Sequence, residues 1–140
     1  MIPQLVAQDL KRDEGFVPHV YECPAGFQTI GYGFMVDARR GGRIPRHIAN
    51  IWLEWEIEQR WAALTTELPW LEDQPEDVHR ALVNMAFQLG VRGVLGFRKM
   101  LEALRVGDRK KAADEALDST WAGQTSERAR RVAALIRGGE

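Results

Sequence analysis

Three side chains that can take part in chemistry lie near the start of the sequence. Glu14 carries a carboxyl group, Cys23 the only thiol of the chain, and Thr29 a hydroxyl group, with eight residues between the first two and five between the last two. Such groups at one site can donate a proton, act as a nucleophile or position water. Each also has an ordinary interpretation: a solvated Glu at a helix end, an inert buried Cys and a strand-forming Thr.

The residues that precede Glu14 have the pattern of a short amphipathic helix. Apolar residues recur at helical spacing from Ile2 to Leu10, and Gly15 is a favoured residue just after a helix end. The pattern predicts a helix over residues 2–13, with Glu14 on its last turn or just past it. Because the C-terminal end of a helix disfavours negative charge, this position favours the protonated carboxyl that a general acid needs.

Cys23 and Thr29 are expected on a β-hairpin. Two β-prone runs flank the turn sequence at residues 24–26. The second run is predicted to continue as one strand across Gly31 and Gly33. Alternation along that strand puts Thr29 and both glycines on one face, so no side chain fills the space beside Thr29.

Helical periodicity dominates the rest of the sequence. A connecting helix is predicted over about residues 46–66, with Trp52 and Trp55 on a stripe that faces the core. Trp61 lies about half a turn round the helix from Trp52, and the pattern does not assign it to the core or to the surface. Further helices are predicted within about residues 75–138.

This order of elements predicts an α+β fold that is mostly helical and has a small N-terminal antiparallel hairpin or sheet. A chain of 140 residues is long enough for a single domain, residues 1–140. Within it we expect an N-terminal lobe over about residues 13–45 and a helical lobe over about 75–138, completed by helix 2–13.

Charge and composition argue against several classes of protein. The formal net charge of −1 is not that of a nucleic-acid-binding domain, which usually has a basic face. One cysteine forms no disulfide within the chain, and three histidines far apart in sequence suggest no metal site. No cofactor is expected. Residues 1–15 contain no apolar run suited to a signal peptide or a spanning helix, so stable membrane insertion is not expected.

Several motifs in order give the chain a resemblance to the phage-type lysozymes, the endolysins or muramidases that cleave peptidoglycan. The motifs are Leu10–Gly15, Tyr21 and Gly26, Thr29–Gly33, Asn84–Gly90, Gly93–Phe97, Trp121 with Gln124–Thr125, and Arg128–Arg131. The resemblance covers nearly the whole chain and implies a lysozyme-like fold.

The resemblance also implies a catalytic set with the same spacing as Glu14, Cys23 and Thr29. It implies saccharide contacts at Met35, Phe87 and Gln88, and supporting roles for Arg128 and Trp121. Asp13 is expected to support the site because its charge lies next to Glu14 in the sequence and favours the protonated carboxyl. Two positions depart from the more familiar members. Those carry Asp where Cys23 stands and His where Phe34 stands.

The resemblance implies hydrolysis of the β-1,4 bond between N-acetylmuramic acid and N-acetylglucosamine, with Glu14 as general acid. The second group in such reactions is normally a carboxylate. Cys23 can act as a thiolate that attacks carbon or activates water, or as a thiol that positions water together with Thr29. Two other functions stay open: a lytic transglycosylase that forms 1,6-anhydro products, and a wall-binding module without catalysis.

The expected partner is the glycan strand of peptidoglycan, and the expected state is a monomer. We expect the protein in the host bacterial cytoplasm until lysis and then at the periplasm and cell wall. Release is expected through a separate holin, because the sequence offers no export signal of its own.

Overall fold

The computed structural model describes residues 3–37 and 43–138, without the side chains of Pro3, Val6, Leu10 and residues 35–37. The chain divides into two compact units, residues 1–51 and residues 52–140. The elements in chain order are α1 (Pro3–Glu14), β1 (Val17–Glu22), β2 (Gln28–Gly31), β3 (Phe34–Asp37), α2 (Arg46–Glu67), a 3₁₀ helix (Pro69–Asp73), α3 (Glu76–Leu95), α4 (Arg98–Arg105), α5 (Arg109–Leu117), α6 (Thr120–Gln124) and α7 (Ser126–Arg137). The α+β class predicted from the sequence is confirmed.

Helix α1 ends at Glu14, as the sequence predicts. Gly15 has a φ of 70°, and its N–H donates to the Lys11 carbonyl at 3.0 Å. This left-handed conformation favours glycine and satisfies a carbonyl of the last turn. Of the predicted apolar stripe, Leu5 is exposed. Ile2 and the side chains of Val6 and Leu10 lie outside the described residues.

The first unit contains a three-stranded antiparallel sheet in the order β1-β2-β3. Thr29 on β2 pairs with Tyr21 on one side and with Met35 on the other. The predicted hairpin around residues 24–26 is therefore confirmed as the β1–β2 connection.

The prediction of one continuous strand across Gly31 and Gly33 is wrong. Strand β2 ends at Gly31, and Tyr32 and Gly33 form a turn before β3 begins at Phe34. Gly31 and Gly33 have φ values of 72° and 74°, which permit the turn and are unfavourable for other residues. Tyr32 packs against Phe16, with ring centroids 5.4 Å apart.

The core of the second unit comes mainly from helices α3 to α7. Its largest fully buried side chains are Leu64, Leu71, Leu82, Met85, Met100, Leu104, Ile136, Val78, Val94 and Val132. Gly90 interrupts α3 with a φ of 77°, which is not a helical value. No helix among the described residues is both long and apolar enough to cross a membrane.

The placement of Trp52 and Trp55 in the core is wrong. Trp52 is 51% exposed and Trp55 53% exposed, and in α2, whose residues are all described, Leu64 is the one buried residue. The C-terminal half of α2 contacts the core of the second unit, where Trp61 is half-buried with its ring centroid 4.4 Å from that of His79. Helical spacing aligned Trp52 and Trp55 on one face, but no described core covers that face.

Candidate functional site

Glu14 is the last residue of α1, and its carboxylate lies against the turn between β2 and β3. A Cβ atom placed on Gly33 would lie 2.6 Å from Glu14 Oε2, closer than side chains tolerate. Only a glycine therefore allows the Glu14 carboxylate to occupy this position. The side chain is exposed, so the carboxyl is accessible to a substrate.

Cys23 opens the loop between β1 and β2, and the loop backbone folds around its sulfur. The Cys23 N–H donates to the Phe27 carbonyl and the Gly26 N–H donates to the Cys23 carbonyl, both at 2.8 Å. The Phe27 N–H lies 3.4 Å from Cys23 Sγ and donates to it. The thiol is half-buried and free.

Thr29 lies beside Cys23 and is buried, with 3% of its surface exposed. Its hydroxyl donates to the Phe27 carbonyl at 3.0 Å, and the N–H of Phe27 donates to the Cys23 thiol. The hairpin therefore brings together the thiol and the hydroxyl that the sequence separates by five residues.

Hydrogen-bond donors around the sulfur lower the pKa of Cys23 below that of an ordinary thiol. The Phe27 N–H contributes most, and burial opposes it. The N–H groups of Ala25 and Gly26 and the Thr29 hydroxyl lower the pKa further. Donors that converge on one atom favour its anionic form. The loop is thus built to stabilise negative charge at the position of Cys23.

Two other predicted site residues, Asp13 and Met35, also lie in the first unit. Asp13 is exposed and forms an ion pair with Arg12 at 3.0 Å. Met35 contributes a backbone position in β3 opposite Thr29, and its side chain lies outside the described residues.

The remaining predicted residues lie in the second unit. Phe87 is 45% exposed on α3. Gln88 follows it and accepts, through Oε1, a 2.9 Å hydrogen bond from Trp121 Nε1. Trp121 is itself buried, and its ring meets that of Phe97 edge to face at 5.9 Å. The Gln88 amide is therefore held with its oxygen toward Trp121, and its NH₂ group donates to none of the residues that the structure describes.

Arg128 is anchored to α3 by one residue that the sequence reading did not single out for this role. Its Nε donates to Asn84 Oδ1 at 2.9 Å, and its Nη2 donates to the Asn84 carbonyl at 3.1 Å. Both residues line a groove of about 670 Å³, together with Phe87 and Trp61. The motif Asn84–Gly90 gave a signal for Asn84, but only the fold shows its contact with Arg128.

Arg60 on α2 is another contact that the sequence reading missed. Its guanidinium carbon lies 4.7 Å from the centroid of the Phe87 ring, and its Nε donates to the Ala86 carbonyl at 3.4 Å. Arg60 also forms an ion pair with Glu56, four residues earlier on α2, whereas its contact with Phe87 joins residues far apart in sequence.

Comparison with known proteins identifies a family and several relatives. Residues 11–137 match the family model described as phage lysozyme. The chain is 32% identical to the pre-baseplate central spike protein Gp5 of Enterobacteria phage T4, over 94% of the chain but only 27% of that protein. It is 28% identical to probable T4-type lysozyme 1 of Dictyostelium discoideum, over 93% of the chain and 92% of the relative. It is 31% identical to an endolysin of Acyrthosiphon pisum secondary endosymbiont phage 1, over 76% and 70% respectively.

Proposed function

Because the chain belongs to the phage lysozyme family, we propose that it hydrolyses the β-1,4 bond between N-acetylmuramic acid and N-acetylglucosamine in bacterial peptidoglycan. The family and the lysozyme and endolysin relatives support a lysozyme-type glycoside hydrolase that cleaves peptidoglycan. The observation that carries the proposal is the exposed Glu14 carboxyl, which ends α1 and lies against Gly33 in the same compact unit that holds Cys23 and Thr29.

Glu14 acts as the general acid in this proposal. Its proton passes to the glycosidic oxygen as the bond from that oxygen to the anomeric carbon breaks. Two features support the role: the carboxyl is exposed at the end of α1, and Gly33 leaves room for it.

Cys23 takes the part that a second carboxylate plays in most glycosidases. As a thiolate it stabilises the oxocarbenium-like centre and takes the proton of a water positioned together with Thr29, while the oxygen of that water bonds to the anomeric carbon. The Phe27 N–H that donates to Cys23 Sγ supports this choice, because a donor at the sulfur favours its anionic form.

Substrate contacts in this proposal come from Met35, Phe87 and Gln88. Gln88 is well suited to the task, since Trp121 holds its amide oxygen and leaves the NH₂ group for a sugar oxygen. Asp13 and Arg128 are proposed as supporting charges.

Digestion of purified peptidoglycan followed by mass spectrometry of the soluble fragments tests the reaction. Hydrolysis adds one water to each cleaved bond and gives a reducing end. Fragments lighter by one water, with 1,6-anhydro ends, would instead identify a lytic transglycosylase. Binding to peptidoglycan without release of fragments would identify a wall-binding module.

We also propose a monomer that stays in the host cytoplasm until a separate holin releases it to the periplasm and cell wall; one relative is named an endolysin. The spike-protein relative supports a second proposal, in which the chain is part of a phage particle. Fractionation of an infected culture separates the two proposals. A cytoplasmic pool before lysis supports the first, and co-purification with phage particles supports the second.

A further inference from the structure

Phe87 has an exposed ring whose orientation requires an explanation. Its neighbour Ala86 is fully buried, whereas Phe87 is 45% exposed and lines the groove described above. A long side chain on a helix has two common χ1 rotamers, and burial usually selects one of them. When a ring is nearly half exposed, burial does not fix its orientation, and a specific neighbouring side chain must do so instead.

Arg60 is that neighbour. Its guanidinium carbon lies 4.7 Å from the ring centroid of Phe87, within the range of a cation–π contact. The guanidinium therefore covers one side of the ring, and the exposed remainder stays available to a ligand in the groove.

The Arg60 side chain is fixed in turn by several partners. It forms an ion pair with the Glu56 carboxylate, and its Nη1 donates to the Glu56 carbonyl at 3.2 Å. Its Nε donates to the Ala86 carbonyl at 3.4 Å, one residue before Phe87. The Glu56 carboxylate also accepts from Trp52 Nε1 at 3.1 Å. A planar guanidinium held at this many points cannot follow the ring, so the ring adopts the orientation that the guanidinium allows.

We propose that Arg60 is a positioning residue that sets the Phe87 ring in the orientation in which it contacts the saccharide. This inference rests on the proposed function, since it assumes that Phe87 meets the glycan strand. Arg60 itself touches no substrate in this account and acts through Phe87 and the α3 backbone at Ala86.

The test is a double-mutant cycle on a soluble, uncross-linked glycan strand, with kcat and KM measured separately. We expect Arg60→Met to raise KM about three- to tenfold with little change in kcat, because the lost contact serves ground state and transition state alike. Phe87→Ala should raise KM at least as much. The double variant should show little further rise, because both changes remove the same contact.

Two further variants separate positioning from general stability. Arg60→Lys keeps the charge but loses the planar fork, so its KM should fall between those of the wild type and Arg60→Met. Arg105→Met removes a comparable arginine, paired with Glu102 at 2.6 Å on the exposed face of α4, and should leave KM unchanged.

Three results would overturn the inference: an unchanged KM in Arg60→Met, an unchanged KM in Phe87→Ala, or additive effects in the double variant. None of these would remove the proposed function, which depends on cleavage by the wild-type protein. A wild-type protein that leaves the glycan strand intact would remove the proposed function itself.

Discussion

Cys23 shows how a loop can change the chemistry of one residue. An ordinary thiol is mostly neutral at neutral pH, and an isolated cysteine in a sequence is more often inert than reactive. Here the N–H groups of residues 25–27 and the Thr29 hydroxyl lower the pKa of Cys23 against the opposing effect of burial. The spacing from Glu14 indicated a site at this position, but the donors depend on a loop conformation that the spacing does not specify.

Substitutions at Cys23 test whether its negative charge is used. Cys23→Asp should retain activity, because the same donors can stabilise a carboxylate. Cys23→Ala should lose most activity, roughly 10²-fold, because no anion remains. Turbidity clearance of cell-wall suspensions measures both. Full activity of Cys23→Ala would remove Cys23 from the mechanism.

The pH profile carries the same information in the wild-type protein. If the thiolate is the active form, activity falls as pH falls through the lowered pKa of Cys23. In Cys23→Asp this acid limb should move to lower pH, because a carboxyl loses its proton at lower pH than a thiol. An acid limb at the same pH in both proteins would show that another group sets it.

The proposed mechanism requires a glycine at position 33, because a side chain there would collide with the Glu14 carboxylate. Gly33→Ala should lower activity at least tenfold, because the new Cβ would displace the Glu14 carboxylate. Gly107→Ala is the matched control. Gly107 also has a positive φ, of 88°, but a Cβ there meets no atom within 4 Å. Both variants should lose stability, about 1 kcal/mol from backbone strain, and only Gly33→Ala should lose catalysis. Equal activity in the two variants would contradict this role.

At the level of elements, features that depend on local sequence signals were predicted better than features that depend on long-range contacts. The end of α1 at Glu14 follows from an apolar period and a glycine, and the β1–β2 hairpin from two β-prone runs around a turn. Trp52 and Trp55 were misplaced because a helical period defines a face but not what covers it. The turn at Gly31–Gly33 was missed because glycine fits a strand and a turn alike.

Three helices of the second unit meet at an ion pair that no sequence pattern indicated. Arg109, the first residue of α5, lies 2.8 Å from Asp77 in the first turn of α3. Its guanidinium also donates to the Ile136 and Leu135 carbonyls at the end of α7, at 2.8 and 3.0 Å. The carbonyls of the last turn of α7 therefore gain a charged donor, and the three helix ends are joined.

This ion pair predicts a pH-dependent stability. The Arg109 guanidinium lowers the pKa of Asp77, and burial opposes it. The contribution to stability is therefore present above the unfolded pKa of about 3.9 and is lost as pH falls toward the lower folded pKa. Asp77→Asn should cost about 1–3 kcal/mol at neutral pH, measured by urea unfolding, and the difference from the wild type should shrink below about pH 4.

Asp114→Asn is the matched control for this measurement. Asp114 pairs with Lys110 and Arg137 at 3.2 Å, but its side chain is half exposed. Exposed pairs contribute about 0–1 kcal/mol, so this variant should stay close to the wild type. A difference for Asp77→Asn that does not change with pH would show that the Asp77 charge is not its source.

At the scale of the whole molecule, the predicted residues divide between two compact units. Glu14, Cys23 and Thr29 belong to residues 1–51, while Phe87, Gln88, Trp121 and Arg128 belong to residues 52–140. The sequence predicted the family because motifs from both units occur in the expected order, and the family match over residues 11–137 confirms it. Contacts such as Arg60 with Phe87 were not predictable, since they depend on how side chains of separate helices pack.

The most direct test of the account is the rate at which Glu14→Gln clears a cell-wall suspension. Glutamine keeps the shape of the side chain but has no acidic proton to transfer, so we expect a loss of about 10²- to 10⁴-fold with an unchanged melting temperature. Glu58→Gln, the same exchange at an exposed position of α2, should clear the suspension at the wild-type rate. Clearance by Glu14→Gln at the wild-type rate would contradict the assignment of Glu14 as the general acid.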